Sequence, residues 1–298
     1  MTFTRRRFLT ISAAAAAMAI PQRTAARSAR AVWRGVALGA PASVVLAGIT
    51  RAEARPVLAA LEDALHRLEG IFSLYRDQSA ISRLNRDGFL HAPPPEMLEV
   101  LSLAGALHDG SDGAFDPTVQ PLWQTLAHGG DTSVARKAIG WGGVHFGTRR
   151  IRFSRSGMAL TLNGIAQGYI TDEIAALLKR EGFRNVLVDI GEIAACGHNA
   201  RDTPWQAGIS GIDGQVLHRV ALSDRALATS APEGTVLEGG QGHILNPAGT
   251  APRQGLVSVS ASSAVLADGL STALCLLDRK AGHRLVDQFG SARIEVMA

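Results

Sequence analysis

Aspartate 268 and threonine 272 stand four residues apart inside ASSAVLADGLSTALCLL, Ala261 to Leu277. At helical spacing Val265, Leu266, Leu270, Ala273, Leu274, Leu276 and Leu277 make this stretch apolar almost all round, the pattern of a buried helix. On such a helix the Asp268 carboxylate and the Thr272 hydroxyl share a face, one turn apart. An unpaired buried carboxylate is costly, so Asp268 needs a cation, a set of hydrogen-bond donors, or both. A hard, oxygen-liganded ion such as Mg²⁺ satisfies a carboxylate and a hydroxyl together, and Mg²⁺ usually brings phosphates with it. The plainer alternative has Thr272 bonding back to the backbone and Asp268 meeting an arginine from elsewhere.

Three further places carry candidate chemistry. Asn163-Gly164-Ile165-Ala166-Gln167-Gly168-Tyr169 opens a helix with glycines, and a helix start presents free backbone N–H groups to an anion; many such turns are simply corners. His243, just before the apolar Ile244-Leu245, is either a proton-transfer group or a structural histidine. Tyr75 is one of only two tyrosines. It precedes a polar helix cap at Ser79, where it serves either as a stacking platform for a planar ligand or as a core residue with a bonded hydroxyl.

These groups need elements to hold them. Arg34 to Ile49 reads as two short strands around Gly39-Ala40-Pro41. A long amphipathic helix follows from about Arg51 to Phe72, with Leu58, Leu61, Leu65 and Leu68 as its stripe. Ser79 to Asn85 is a single helical turn, Met97 to Leu107 a helix, and Asp112 to Val119 a turn-rich connection. Helical pieces begin at Trp123 and Val134, and strands are expected through Phe153 and over Met158–Leu162. The glycine-led helix runs to about Glu181. Val186–Gly191, Glu192–Cys196, Trp205–Ser210 and Val216–Leu222 read as successive antiparallel strands. Ala226–Ser230 leads into a glycine-rich excursion, Ala231 to Gly242. Leu256–Ser260 and Ile294–Met297 are strands around the Asp268 helix. No linker divides the chain, so the expected class is α+β, a mixed, largely antiparallel sheet flanked by helices.

The 298 residues hold 30 basic and 26 acidic side chains, and 46% are hydrophobic, enough for a large core. Residues 1–30 read as a Tat signal peptide: Arg5-Arg6-Arg7, an apolar run from Ile11 to Ile20, and a small-residue cleavage pattern at Ala17-Met18-Ala19. Six of the basic residues and none of the acids lie there, leaving 24 against 26, a net of −2 over 31–298. That balance removes the argument for nucleic-acid binding. The expected route is through the Tat translocon to the periplasm, with an uncleaved inner-membrane anchor as the variant. Cys196 and Cys275 are too few for a disulfide scaffold or a zinc site.

The blocks FSLYRDQSAISRLN, GAFDPTVQPLW, LTLNGIAQGYITDEIAALL, VLVDIGEIAACG, ALATS, GHILNP and SASSAVLADGLSTAL, in this order from about Val36 to the C-terminus, resemble the signature blocks of the ApbE family. The resemblance implies an ApbE-like domain over 31–298 with the flavin cleft between two packed subdomains. It implies Mg²⁺-dependent transfer of FMN from FAD, as substrate, to a Ser or Thr hydroxyl of an acceptor flavoprotein bearing a D-x-x-[ST]-G-A-[ST] motif, with AMP released. By the same resemblance Mg²⁺ is held by Asp268, Thr272 and the Ala166 carbonyl, and Tyr75 stacks on the flavin. His243 moves the proton, with Asp268 the other candidate base. FAD contacts are implied at Asp116, Gly164, Ile165, Ala166, Gly168, Asp172, Thr229, Ser230 and His243.

The chain departs from the family pattern in three places. Gln167 stands where lysine is usual, so one positive charge near the phosphates is missing. Gly191-Glu192 shortens a double glycine. Ser230-Ala231-Pro232 replaces a serine-glycine pair. Two other functions fit the same blocks: FAD hydrolysis to FMN and AMP, and a flavin carrier without chemistry. Asp268-Gly269-Leu270-Ser271-Thr272-Ala273 imitates the acceptor motif, but Thr272 replaces its glycine and a buried helix would hide Ser271, so self-modification is not expected.

Overall fold

A computed structural model describes residues 29–238 and 240–298; the stretch 1–30 expected to be a Tat signal peptide lies outside the described residues, apart from Ala29 and Arg30 at its end. The first two strands, β1 (Arg30–Ala37) and β2 (Ala40–Ala47), form an antiparallel hairpin. Its turn needs a positive φ at both Leu38 (49°) and Gly39 (84°), the hairpin geometry that matches strand twist. Leu38 adopts it with its N–H held by Glu69 Oε1 at 2.8 Å.

That glutamate sits on α1 (Arg51–Phe72), whose start is fixed by a capping box between Thr50 and Glu53. There follow α2 (Ala80–Asp87), β3 (Phe89–His91), α3 (Pro95–Gly110), α4 (Gln120–Ala127), α5 (Thr132–Lys137), β4 (Val144–Gly147), β5 (Arg150–Phe153) and α6 (Ala166–Arg180). Next come β6 (Val186–Asp189), β7 (Ile193–Cys196), β8 (Trp205–Ser210), β9 (Val216–Leu222), β10 (Arg225–Ser230), β11 (Val257–Ala261), α7 (Ala264–Leu274), α8 (Arg279–Asp287) and β12 (Arg293–Met297).

Seven strands make the main sheet, in the order β1-β2-β6-β7-β10-β11-β12, and every registered pair is antiparallel. The expected α+β architecture is therefore present, with the sheet purely antiparallel instead of mixed. Apart from Asp189 at the end of β6, β6 and β7 are apolar because both faces are covered. Val186, Val188 and Ala194 face the core shared with α1, α6 and α7, while Leu187, Ile193 and Ala195 face Trp205, Ile209 and Leu222. The hairpin β8–β9 is thus a separate two-stranded layer on the second face, not a continuation of the sheet.

Residues 48–185, inserted between the neighbouring strands β2 and β6, supply α1 to α6 and the small sheet β3-β5-β4. Met158–Leu162 has the alternation of a strand but is not one. The Asn85 side-chain amide substitutes for a strand partner, donating to Leu160 O at 2.8 Å and accepting from Leu160 N–H at 2.7 Å. Thr161 N–H is bonded to Pro117 O at 2.9 Å. This pinned segment carries the chain into the glycine-bearing turn before α6.

Candidate active site

Helix α7 is buried against β10, β11 and α6, and its Leu270 and Leu274 are fully enclosed. Each such side chain contributes roughly 1.5–3 kcal/mol, which holds Asp268 in place at 3% exposure. Asp268 Oδ2 accepts the Gly168 N–H at 2.9 Å, across 100 residues of chain. Burial raises the Asp268 carboxyl to about 7; the Gly168 bond opposes that rise and the Asp172 charge adds to it. The arginine partner considered from sequence is absent among the described residues.

One turn on, Thr272 faces Gly164, where an added Cβ would lie 2.9 Å from the threonine hydroxyl. Thr272 Oγ1 is 3.3 Å from Ser230 Oγ, which also meets Ser271 Oγ at 2.8 Å. The back-bonding alternative belongs to Ser271, whose hydroxyl donates to Asp268 O at 3.0 Å. Ser271 is fully buried, as expected for a residue that only imitates an acceptor.

Asp268 and Thr272 line a cleft of about 280 Å³ that also gathers the β1–β2 turn, the end of α1, residues around Asp116, and the segment His243–Leu245. Tyr75 stands at its rim with 60% exposure, so it is not a core residue. Its backbone N–H is tied to Ser73 Oγ at 3.2 Å, and Ser73 O in turn accepts the Ser79 hydroxyl at 2.7 Å. Ser79 caps α2, which runs two turns to Asp87 where one was expected.

His243 is fixed by its own backbone, since its N–H reaches Pro232 O at 2.9 Å and Thr235 O at 3.0 Å. The ring Nδ1 lies 3.0 Å from Pro232 O. A carbonyl only accepts, so Nδ1 carries the proton and Nε2 is left with its lone pair. Burial holds the imidazole below its usual range despite the backbone carbonyls, favouring the neutral form.

Asp116, Gly164, Thr229 and Ser230 also line the cleft. Asp116 spends Oδ1 on Thr118, accepting its N–H at 2.8 Å and its hydroxyl at 2.6 Å. Four other expected contacts do not line it. Ile165 is buried in the core, and Ala166 is 2% exposed at the start of α6. Gly168 packs so tightly on the first turn of α7 that a Cβ would sit 2.6 Å from the Ala264 carbonyl carbon. Its N–H serves Asp268. Asp172 caps α7, with Oδ1 accepting from Ala264 N–H at 2.7 Å and Oδ2 from Val265 N–H at 2.9 Å. The glycine turn before α6 therefore acts mainly by positioning Asp268.

Glu192 is the cleft residue that sequence reasoning treated only as part of a shortened turn. It is 7% exposed and lines the cleft from the β6–β7 turn. Burial, and then the neighbouring Asp268 charge, push its carboxyl well up, against a bond from the Thr229 N–H. An acid inside the apolar run VLVDIGEIAAC was the available signal. Beside it, Gln167 lies over Gly191, where an added Cβ would be 2.6 Å from Nε2. Two of the three departures from the family pattern are thus in mutual contact.

Asp116, Glu192 and Asp268 line the cleft, while no Lys or Arg does so among the described residues. Nor do three or more His, Cys, Asp or Glu side chains gather into a metal cluster there. A cation at this spot would rest on one carboxylate with hydroxyl and carbonyl oxygens, a donor set suited to a hard ion.

A family model described as the ApbE family matches residues 38–297. The FAD:protein FMN transferase of Salmonella typhimurium is 26% identical, aligned over 93% of this chain and 87% of the relative. That of Vibrio cholerae is 28% identical over 79% and 78%. Among solved structures, the flavin transferase ApbE from Vibrio cholerae superposes with a TM-score of 0.79 at 23% identity, covering 90% of this chain and 93% of that one. The Pseudomonas stutzeri flavinyl transferase ApbE, in its apo form, gives 0.76 at 26% identity, covering 90% and 91%. With six of the seven main-sheet strands and the cleft inside the matched region, the chain belongs to the ApbE family.

Proposed function

We propose that this chain transfers FMN from FAD to a Ser or Thr hydroxyl of an acceptor flavoprotein and releases AMP, using Mg²⁺, after export through the Tat pathway to the periplasm. One observation carries the reading: among the described residues the cleft holds three acids and a neutral histidine but no Lys or Arg. A pyrophosphate cannot settle among carboxylates without a bridging cation. Asp268 and Thr272, with the Ala166 carbonyl, are the oxygens that would hold Mg²⁺, whose chemistry when bound is to neutralise pyrophosphate charge and stabilise the leaving phosphate.

The chain's own groups do the rest. Tyr75 offers a ring face at the rim for the flavin. Gly168 fixes one oxygen of Asp268, and the Thr229 N–H holds Glu192. The acceptor hydroxyl oxygen attacks the FMN-side phosphorus while its proton passes to Nε2 of His243. The new P–O bond forms as the bond to the AMP phosphate breaks, and AMP leaves with the electron pair. The Pro232 carbonyl keeps Nδ1 protonated throughout, so Nε2 is the base.

The test mixes the chain from Ala31 with FAD, Mg²⁺ and a small domain bearing D-x-x-[ST]-G-A-[ST]. Flavin fluorescence on the denatured acceptor, lost with EDTA and in Asp268→Ala, is the expected outcome. FAD binding with neither labelled acceptor nor AMP would instead make the protein a carrier. AMP without labelled acceptor would make it a pyrophosphatase.

A further inference from the structure

The small sheet β3-β5-β4 turns one face to the core and the other to solvent. Leu90 and Ile151, directly paired, are 5% and 0% exposed. Strand alternation then puts Phe89, His91, Arg150, Arg152 and His145 on the outer face. Cross-strand pairing brings His91 opposite Arg150 and His145 opposite Arg152, with Arg149 in the adjoining turn. Each of these five basic groups is exposed. None takes part in the ion pairs found among the described residues. Asp87, which lines the adjoining groove, is engaged by Arg86 at 2.9 and 3.2 Å. Gathering the guanidinium groups of Arg149, Arg150 and Arg152 on one small face without counter-charges costs stability, so their clustering calls for a function.

The same face borders an open groove of about 820 Å³ whose lining includes Arg150, Arg152, Asn85, Gln124 and Ala159. Trp123, next to Gln124, and Thr161, two residues beyond Ala159, line the active-site cleft. From Ala159 to Asn163 the chain spans at most about 14 Å, the length of roughly four extended residues. A groove this close to the cleft fits an extended peptide better than the plane of a lipid surface.

We infer that the Arg149, Arg150, Arg152, His91 and His145 face is the docking surface for an acidic segment of the acceptor protein, lying about four or more residues from the hydroxyl that enters the cleft. The inference rests on the proposed transfer reaction for the identity of the partner. Binding, however, is measurable without chemistry.

The experiment uses fluorescently labelled peptides carrying the acceptor motif with either acidic or neutral residues beginning four positions to each side of the hydroxyl. Their binding to the chain from Ala31 is followed by anisotropy, without FAD or metal. The acidic peptide should bind more tightly, and its Kd should rise with salt, because exposed charges are screened. Arg150→Glu with Arg152→Glu should weaken it by at least about ten-fold and abolish the salt dependence. The neutral pair Arg150→Gln with Arg152→Gln should fall between, and the neutral peptide should bind all forms alike. FAD affinity, read by flavin fluorescence, should not change.

Equal binding of the acidic peptide to wild-type and both variants overturns the inference. So does wild-type binding to phosphatidylglycerol vesicles that the variants lose, with peptide binding unaltered. If the peptide binds as expected but never acquires FMN in the presence of FAD and Mg²⁺, the docking surface stands and the transferase reading falls.

Discussion

Asp268→Asn should make the metal-free protein more stable while destroying its use. The Asp268 carboxyl is raised from 3.8 to about 7, chiefly by burial. Folding therefore favours its protonated form, and the unfolded chain is the one that ionises first. Between about pH 4 and pH 7 the folded state binds the extra proton, so stability falls as pH rises and levels off above about 7. A shift of some three units at 1.36 kcal/mol each sets an upper bound on the order of 4 kcal/mol. Asparagine keeps an acceptor for the Gly168 N–H and also relieves the charge beside Glu192.

In urea unfolding at pH 8 with EDTA, the variant should thus gain about 2–4 kcal/mol over wild type, and at pH 4 the two should agree within about 1 kcal/mol. Adding Mg²⁺ at a hundred times its Kd should restore about 2.7 kcal/mol to wild type and nothing to the variant. A variant less stable than wild type at pH 8 without metal would refute the account of Asp268 as an uncompensated buried charge.

Gly168→Ala should cost at least about 3 kcal/mol, because its Cβ would lie 2.6 and 2.7 Å from backbone atoms of Ala264 and Val265 and must part α6 from α7. The control, Gly70→Ala on the open surface of α1, has nothing within 4 Å and should gain about 0.5–1 kcal/mol by thermal or urea unfolding. His243→Gln should lower the transfer rate at saturating FAD by about 10²–10⁴. The wild-type rate should fall on acidification through an apparent pKa below 6.5, since burial keeps the imidazole neutral above it. Tyr75→Ala should weaken FAD binding about ten-fold in fluorescence titration, through loss of a ring face at the rim, with little effect on stability because the side chain is exposed.

The legible parts of this molecule are those whose signals are local. The leucine stripe marks α1, whose observed span Arg51–Phe72 matches the expected one, and the four-residue spacing of Asp268 and Thr272 puts both in one cleft. What could not be read depends on partners far away in the chain. Met158–Leu162 alternates like a strand, yet its partner is a single asparagine side chain 75 residues earlier. Asp172 is implied by the family resemblance to be an FAD contact, but its carboxylate caps a helix 92 residues on. Glu192 enters the site only because Thr229, at the end of β10, supplies its backbone N–H. The basic face of β5 is invisible in the net charge, since alternation along one short strand creates it.

The most direct test of the central claim is a single time course of the chain from Ala31 with FAD, Mg²⁺ and the acceptor domain, in which AMP and the acceptor's intact mass are measured together. The account predicts one AMP for each acceptor that gains the mass of FMN less water, and neither product when the acceptor hydroxyl is replaced by alanine. AMP produced at the same rate with the alanine acceptor, and no mass gain on the native one, would contradict it.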